Sequence, residues 1–468
     1  MRTALAVMIA GLALAAPVAA RANGAFPAVE GVLVPADRPQ LFMLVTNFGV
    51  VLSEDGGQTW SWSCEQEANA FGVLHQFGPA PRRRLFAVAG DRVITSDDAT
   101  CGWRIAGGLL ADQQVTDVFP DPTNADRVLA IGVANGAWSV FESADGGATF
   151  GARIYQAPAG DVVTSVEIAR ADPRVVYVGM FGADQSPKLA RTSDGGARWT
   201  VNDLSAGVGP GFPRIIAVDP DDPDTVLLRW ASVTGGEALV VTRDGGATAT
   251  APLSIPFYFT SFARMSDGAL VVSAVAAVSP AQRAALFVSH DGGASFQRND
   301  AVPGVLALAQ RNGVLYAATD NFGDGYALGA SADEGVTWQP VMRFDQIGSI
   351  MACLRTNAQC QASCQALAGT GLGSPGMIWD QAVCSAGTAG QGGLGGGAGA
   401  SGGSADSGSG GTGGVTAGAR GGGCSFAPAP PRANRGAAVL AAAMIALGLS
   451  ARRSRRRASS PAAAPRGC

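Results

Sequence analysis

One eight-residue phrase, written seven times, limits what this chain can fold into more than any other feature. It reads SEDGGQTW at 53–60, SADGGATF at 143–150, TSDGGARW at 192–199, TRDGGATA at 242–249, SHDGGASF at 289–296 and SADEGVTW at 331–338, with a worn copy, SDDATCGW, at 96–103. Its aspartates are Asp55, Asp98, Asp145, Asp194, Asp244, Asp291 and Asp333, spaced 42 to 50 residues apart. A period of this length marks one supersecondary unit per repeat, whose apolar faces can be buried only against the neighbouring units. Each unit predicts four short strands. In the fourth they are Val163–Ile168, Val175–Phe181, Lys188–Ser193 and Arg198–Asn202, β-branched and aromatic runs between Gly, Asp and Pro clusters. The fold class is therefore all-β, a seven-bladed β-propeller over residues 27–345. The strand near Val29–Val34 either opens the first blade or completes the last.

The phrase falls in the hairpin between third and fourth strands. There the carboxylate can accept backbone N–H groups, the glycines supply positive φ, and the closing Trp or Phe packs between blades. An acid present in all seven copies is a turn device, since catalysis needs one acid rather than seven. A second phrase recurs between first and second strands: FPDPTNADRVLAIG at 119–132, ARADPRVVYVG at 169–179 and AVDPDDPDTVLL at 217–228. Asp-Pro starts a turn because proline fixes φ and the Asp side chain takes nearby N–H groups.

The pattern S/T-x-D-x-G-x-T-W/F resembles the Asp-box of the BNR repeat, sialidase-like superfamily, whose members include sialidases, xyloglucanases, sortilin-type receptors and a photosystem II assembly factor. The resemblance implies the propeller with Asp-box hairpins and leaves function open. A sialidase-like site would need an arginine trio, a tyrosine nucleophile and an early Phe/Tyr-Arg-Ile-Pro motif. Here GFPRII at 211–216 has those letters out of order, and of five tyrosines Tyr177 and Tyr316 sit at core strand positions. A xyloglucanase-like site would need paired carboxylates in a cleft between two propellers, and one propeller is expected. Nor does the chain carry a Gly-x-Ser-x-Gly elbow, a His-Glu-x-x-His motif or a phosphate loop, so no cofactor and no metal are expected. The expected function is a non-catalytic binding or interaction module for a glycan or a protein. The alternative is a glycoside hydrolase of the sialidase or xyloglucanase kind.

Both stereotyped turns lie at one end of the blades. The opposite end carries loops that differ from unit to unit, such as VANGAW at 133–138, GADQSP at 182–187, WASVTGGE at 230–237 and DNFGDG at 320–325. Varied loops on a rigid scaffold are where binding resides. The candidate contacts there are Trp138, Phe181, Trp230, Tyr258 and Phe322, each of which can equally cap the packing between blades.

The chain's two ends carry their own signals. Arg2, the apolar run Ala4–Ala16 and Ala20-Arg21-Ala22 read as a signal peptide over residues 1–22. In an oxidising compartment the cysteines pair, and zinc is disfavoured with only His75 and His290 in the chain. Adjacent blades suggest a Cys64–Cys101 bridge. Residues 346–384 read as a small helical cap in which Cys353, Cys360, Cys364 and Cys384 make two disulfides of open pairing. Residues 385–423, almost all Gly, Ala, Ser and Thr, read as a flexible, disordered tether. Residues 424–468 run from Cys424 through a Pro-rich stretch and a short apolar segment to RRSRRR at 452–457. That order resembles the myxobacterial C-terminal sorting tail (MYXO-CTERM). The resemblance implies a sorting protease, processing or attachment at Cys424, and an exported, surface-anchored protein with a membrane-held precursor. Phe426 stands where that tail often has a second cysteine. Ten of the 33 basic residues lie in the two end segments, which contain no acid. The remaining 23 face 37 acidic residues, a balance that excludes nucleic acid as a partner. A monomer is expected.

Overall fold

The computed structural model describes residues 27–64, 75–233, 235–277, 283–369, 378–380 and 382–385. The segments expected to be the signal peptide, the tether and the sorting tail with Cys424 lie outside them. Seven sheets of consecutive antiparallel strands follow one another along the chain. Blade 4 is representative: Val162–Ile168, Val176–Phe181, Pro187–Thr192 and Thr200–Asp203, each pairing with the next. Successive blades pack on one another through shared apolar clusters, and the first strand of blade 7, Ala307–Arg311, meets that of blade 1, Val29–Leu33, so the ring is closed. Val29–Leu33 pairs with Phe42–Thr46 and thus opens blade 1 rather than completing blade 7.

The aspartate hairpins stand where the repeat puts them. In blade 3, Asp145 Oδ1 accepts from Ser143 Oγ at 2.7 Å and Thr149 N at 2.8 Å, and Oδ2 accepts from Thr149 Oγ1 at 2.6 Å. Gly147 N donates to Ser143 Oγ at 2.8 Å, so the hydroxyl and the carboxylate together fold the turn. The same knot recurs around Asp55, Asp244, Asp291 and Asp333, and around Asp194 with an arginine in place of the threonine. These bonds hold the carboxyls of Asp55 and Asp333 down at about 2, with the Thr59 and Thr337 hydroxyls the leading causes. Blade 2 departs: Asp98 gives its backbone carbonyl to Cys101 N at 2.7 Å, and its N–H goes to Ser96 Oγ at 3.2 Å.

Apolar residues from facing blades form one cluster at each of the seven joints. Phe150, which closes the phrase of blade 3, is fully buried against Phe86 and Val88 of blade 2, as a residue packing between blades should be. The cluster between blades 1 and 2, built on Met43, Leu52 and Leu85, is much smaller than that between blades 7 and 1.

The region after the propeller corrects two expectations. Ile347–Ile350 is a strand, not a helix, and pairs in parallel with Trp60–Cys64, giving blade 1 a fifth, outer strand. The helix is Ala358–Leu367, capped by Asn357, whose side chain accepts from Gln359 N and Cys360 N at 3.0 Å. Cys360 and Cys364 lie buried on it, whereas Cys353 precedes it in a short 3-10 turn. The expected Cys64–Cys101 bridge is not formed. Cys64 bonds Cys360, Cys101 bonds Cys353, and only Cys364–Cys384 stays within the cap. The physical reason is ring closure: the chain leaving blade 7 returns to blades 1 and 2 and brings its own thiols to both. We call residues 347–385 the clasp.

Candidate binding face

One end of the ring carries the aspartate and Asp-Pro turns, and these engage each other. Gly146 N donates to Asp126 O at 2.7 Å, Gly195 N to Arg174 O at 3.0 Å and Gly245 N to Asp224 O at 2.9 Å, each joining the two turns of one blade. Side chains then cross every joint: Arg83 to Asp37, Arg84 to Gly146 O, Arg127 to Pro173 O, Tyr177 to Pro223 O, Arg243 to Gly292 O, Asn299 to Gly335 O and Arg311 to Leu41 O. The polar groups of this end are committed to the scaffold.

The opposite end is built differently. Its loops leave Val233 of blade 5 and Phe322 of blade 7 exposed, each at 46%; Leu109, also exposed, follows the Gly107–Gly108 strand and donates its N–H to Phe150 O beside the aspartate hairpin of blade 3. Trp138 is half-buried on Ala137–Ser143 and packs on the cluster between blades 3 and 4. Phe181 is buried and stacks on Phe212 at 3.8 Å between ring centroids, one ring from blade 4 and one from blade 5. Trp230 belongs to the core of the same joint, and its indole lies so close over Gly211 that a Cβ there would meet Nε1 at 2.2 Å. Tyr258 is half-buried just before the first strand of blade 6, and its carbonyl accepts from Val275 N at 3.0 Å. Phe322 alone of the five is widely exposed, edge-on to Phe344 at 6.1 Å. Phe181 and Trp230 thus pack the joint between blades 4 and 5.

Sequence reasoning missed Phe212, hidden inside the phrase GFPRII, and a charged group beside it. Asp161 accepts from Ala183 N at 2.9 Å and pairs with Lys188 Nζ at 3.1 Å, and Lys188 also reaches Asp184 at 3.5 Å. It also missed a pair of buried acids on the inner strands: Asp117 in Gln114–Pro120 and Glu167 in Val162–Ile168. The detectable signal was an acid at an otherwise apolar strand position. Burial pushes the Glu167 carboxyl up to about 8, and neighbouring Asp117 adds to the rise while Val218 N and Arg214 oppose it. Burial likewise raises Asp117, against Arg214 at 3.8 Å.

A carboxyl that stays protonated near neutral pH has the charge state of a general acid. Here, however, Glu167 Oε2 accepts from Val218 N of the next blade at 3.0 Å. Glu237 does the same for Phe259 N at 2.7 Å, and the hydroxyls of Ser165 and Ser261 for Ile215 N and Leu308 N at 2.8 Å. An inner strand is a sheet edge with unpaired N–H groups, and side-chain oxygens of the preceding blade satisfy them. The acids therefore occupy a structural series shared with serines. Among the described residues no three His, Cys, Asp or Glu side chains gather to hold a metal.

No protein-family model matches the chain. A curated xyloglucanase from Paenibacillus sp is 28% identical over 256 residues, 52% of this chain and 23% of the relative, so the chain spans less than a quarter of that enzyme's length. Among solved structures, an ancestral GH74 enzyme is similar at 12% identity and a TM-score of 0.38, over 68% of this chain and 55% of that one. A Hadza microbial sialidase is similar at 14% identity and a TM-score of 0.39, over 59% and 70%. The chain is a seven-bladed propeller with structural neighbours among sialidase and GH74 propellers.

Proposed function

We propose that the propeller is a non-catalytic binding module for a glycan or a protein, carried by an exported, surface-anchored chain. The observation that carries this reading is the division of the molecule. One end commits its polar groups to internal latches, while the other presents varied loops with separated exposed apolar residues around a rigid ring. The export half rests on the signal-like and sorting-like segments at residues 1–22 and 424–468 and on three disulfides, two of them spanning more than 250 residues.

Glycoside hydrolysis is the second reading, favoured by the 28% match to a xyloglucanase and by the raised carboxyls of Asp117 and Glu167. Their engagement with backbone N–H groups weighs against it. The test is a glycan array probed with the purified propeller and read for both capture and product release. Capture without hydrolysis is expected. Hydrolysis that is lost in Glu167→Gln or Asp117→Asn at unchanged melting temperature overturns the binding reading. For the anchor, Cys424→Ala should accumulate a longer precursor that still contains residues 452–457, and recovering those residues from the mature surface form would refute processing at Cys424.

A further inference from the structure

Blade 2 is the least self-sufficient part of the ring. Its first strand, His75–Phe77, has three residues and its fourth, Arg104–Ile105, has two, against seven and four in blade 4. Its hairpin lacks the Gly-Gly pair and the carboxylate knot, and its outer strand leaves Ile105 62% exposed. The apolar cluster on its blade 1 side is small, and it includes Met351 of the clasp at its edge.

What holds blade 2 comes from outside it. Arg83 pairs with Asp37 of blade 1 at 2.6 Å, and Arg82 with Asp126 of blade 3 at 2.6 Å. Arg84 pairs with Asp97 of its own hairpin and donates to Gly146 O of blade 3. The strand pair Gly107–Gly108 and Thr149–Phe150 adds a short parallel link to blade 3. Among the described residues, the one disulfide on this blade is Cys101–Cys353, to the clasp. The clasp is itself fixed to blade 1 by Cys64–Cys360 and by the Ile347–Ile350 strand. Exposed ion pairs are weak and salt-screened, so on the blade 1 side, where the apolar cluster is small, the disulfide is the dominant restraint.

We propose that blade 2 is the opening segment of the ring, latched by Cys101–Cys353, and that reduction of the clasp releases it while the remaining blades stay closed. Each disulfide takes two electrons and two protons from a dithiol, which closes into its own disulfide, and leaves two free thiols. The freed blade keeps its arginine pairs, the short link to blade 3 and the apolar cluster that Phe86, Val88 and Val93 share with blade 3, so it opens on its blade 1 side. The knotted hairpins and larger joint clusters of blades 4 to 6 contain no cysteine and do not change.

The test is amide hydrogen exchange, read by mass spectrometry on the full oxidised chain with and without dithiothreitol. Reduction should speed exchange in residues 75–105 at least about ten-fold and leave residues 162–299 unaltered. The paired variant Cys101→Ser/Cys353→Ser should reproduce the pattern without reductant, whereas Cys364→Ser/Cys384→Ser should not. Unchanged exchange in blade 2, a rise shared equally by all blades, or the same release in the Cys364/Cys384 variant overturns the proposal. If the Cys101/Cys353 variant fails to fold, reduction of the folded wild-type chain decides alone.

Discussion

The two ends of this propeller are made from the same strands and hold opposite kinds of loop. At the aspartate end, every blade but the second repeats its aspartate turn, and side chains stitch each joint through backbone carbonyls or ion pairs. At the other end blades 1 to 3 share a two-residue turn whose residues differ, the loops of blades 4, 5 and 7 are longer and unlike one another, and Val233 and Phe322 reach solvent. The difference teaches where sequence variation is tolerated. A turn whose donors and acceptors are consumed internally cannot change one residue without stranding another. A loop that only has to span two strands can.

Substitution should break this comparison if it is wrong. The largest effect is expected for Gly147→Val at the aspartate end. Gly147 has φ of 82°, and a Cβ there would meet Phe86 Cε1 at 2.6 Å, so backbone strain and overpacking together should cost roughly 3 kcal/mol, read as a lower denaturant midpoint. Next comes Ser165→Ala on the inner strand, which orphans the buried Ile215 N–H now held at 2.8 Å and should cost about 1–3 kcal/mol. Asp145→Ala should cost about 1 kcal/mol, since its knot is largely exposed. At the other end, Val233→Ser and Phe322→Ala should shift stability by no more than about 0.5 kcal/mol while weakening capture on the array. A large stability loss there would erase the distinction between scaffold end and binding end.

Acidity sharpens it further. Glu167 keeps its proton more tightly in the folded chain, at about 8, than an ordinary carboxyl near 4.5 does. The folded state therefore binds the extra proton, and this group's contribution to stability is present below pH 4.5 and declines as the pH rises from there to about 8. The aspartate turns work in the opposite sense. Asp55 and Asp333, held at about 2 against 3.8, stabilise the fold above pH 3.8, and that contribution fades as the pH falls towards 2. Glu167→Gln should flatten the first slope and leave the second, as measured by melting temperature against pH.

Much of the scaffold was legible because its signal is local. The strands expected for the fourth unit match those observed within two residues at each end, and the turn role of Asp145 follows from the identities of residues 143–149 alone. What was not legible depends on which parts of the chain the closed ring brings together. The thiol partners of Cys64 and Cys101 lie 296 and 252 residues away, and nothing near either cysteine encodes that meeting. Glu167 and Ser165 act through N–H groups of the following blade, so their task is invisible in their own repeat. The candidate face was least legible: Trp230 is buried and Phe212 half-buried because of how blades 4 and 5 pack.

The clasp has a mechanical consequence. A pull on the chain beyond Ser385 reaches Cys384, crosses to Cys364 and the helix Ala358–Leu367, and passes through Cys360 to Cys64 at the end of blade 1's fourth strand. The strand Ile347–Ile350, parallel to Trp60–Cys64, precedes Cys360 in the chain and so lies off that path. Blade 7, the last to be made, is therefore shielded from the tension. A propeller held by its C-terminal side and tugged by a bound ligand would bear the force on covalent bonds that lead into blade 1, and its seventh blade would not unravel strand by strand.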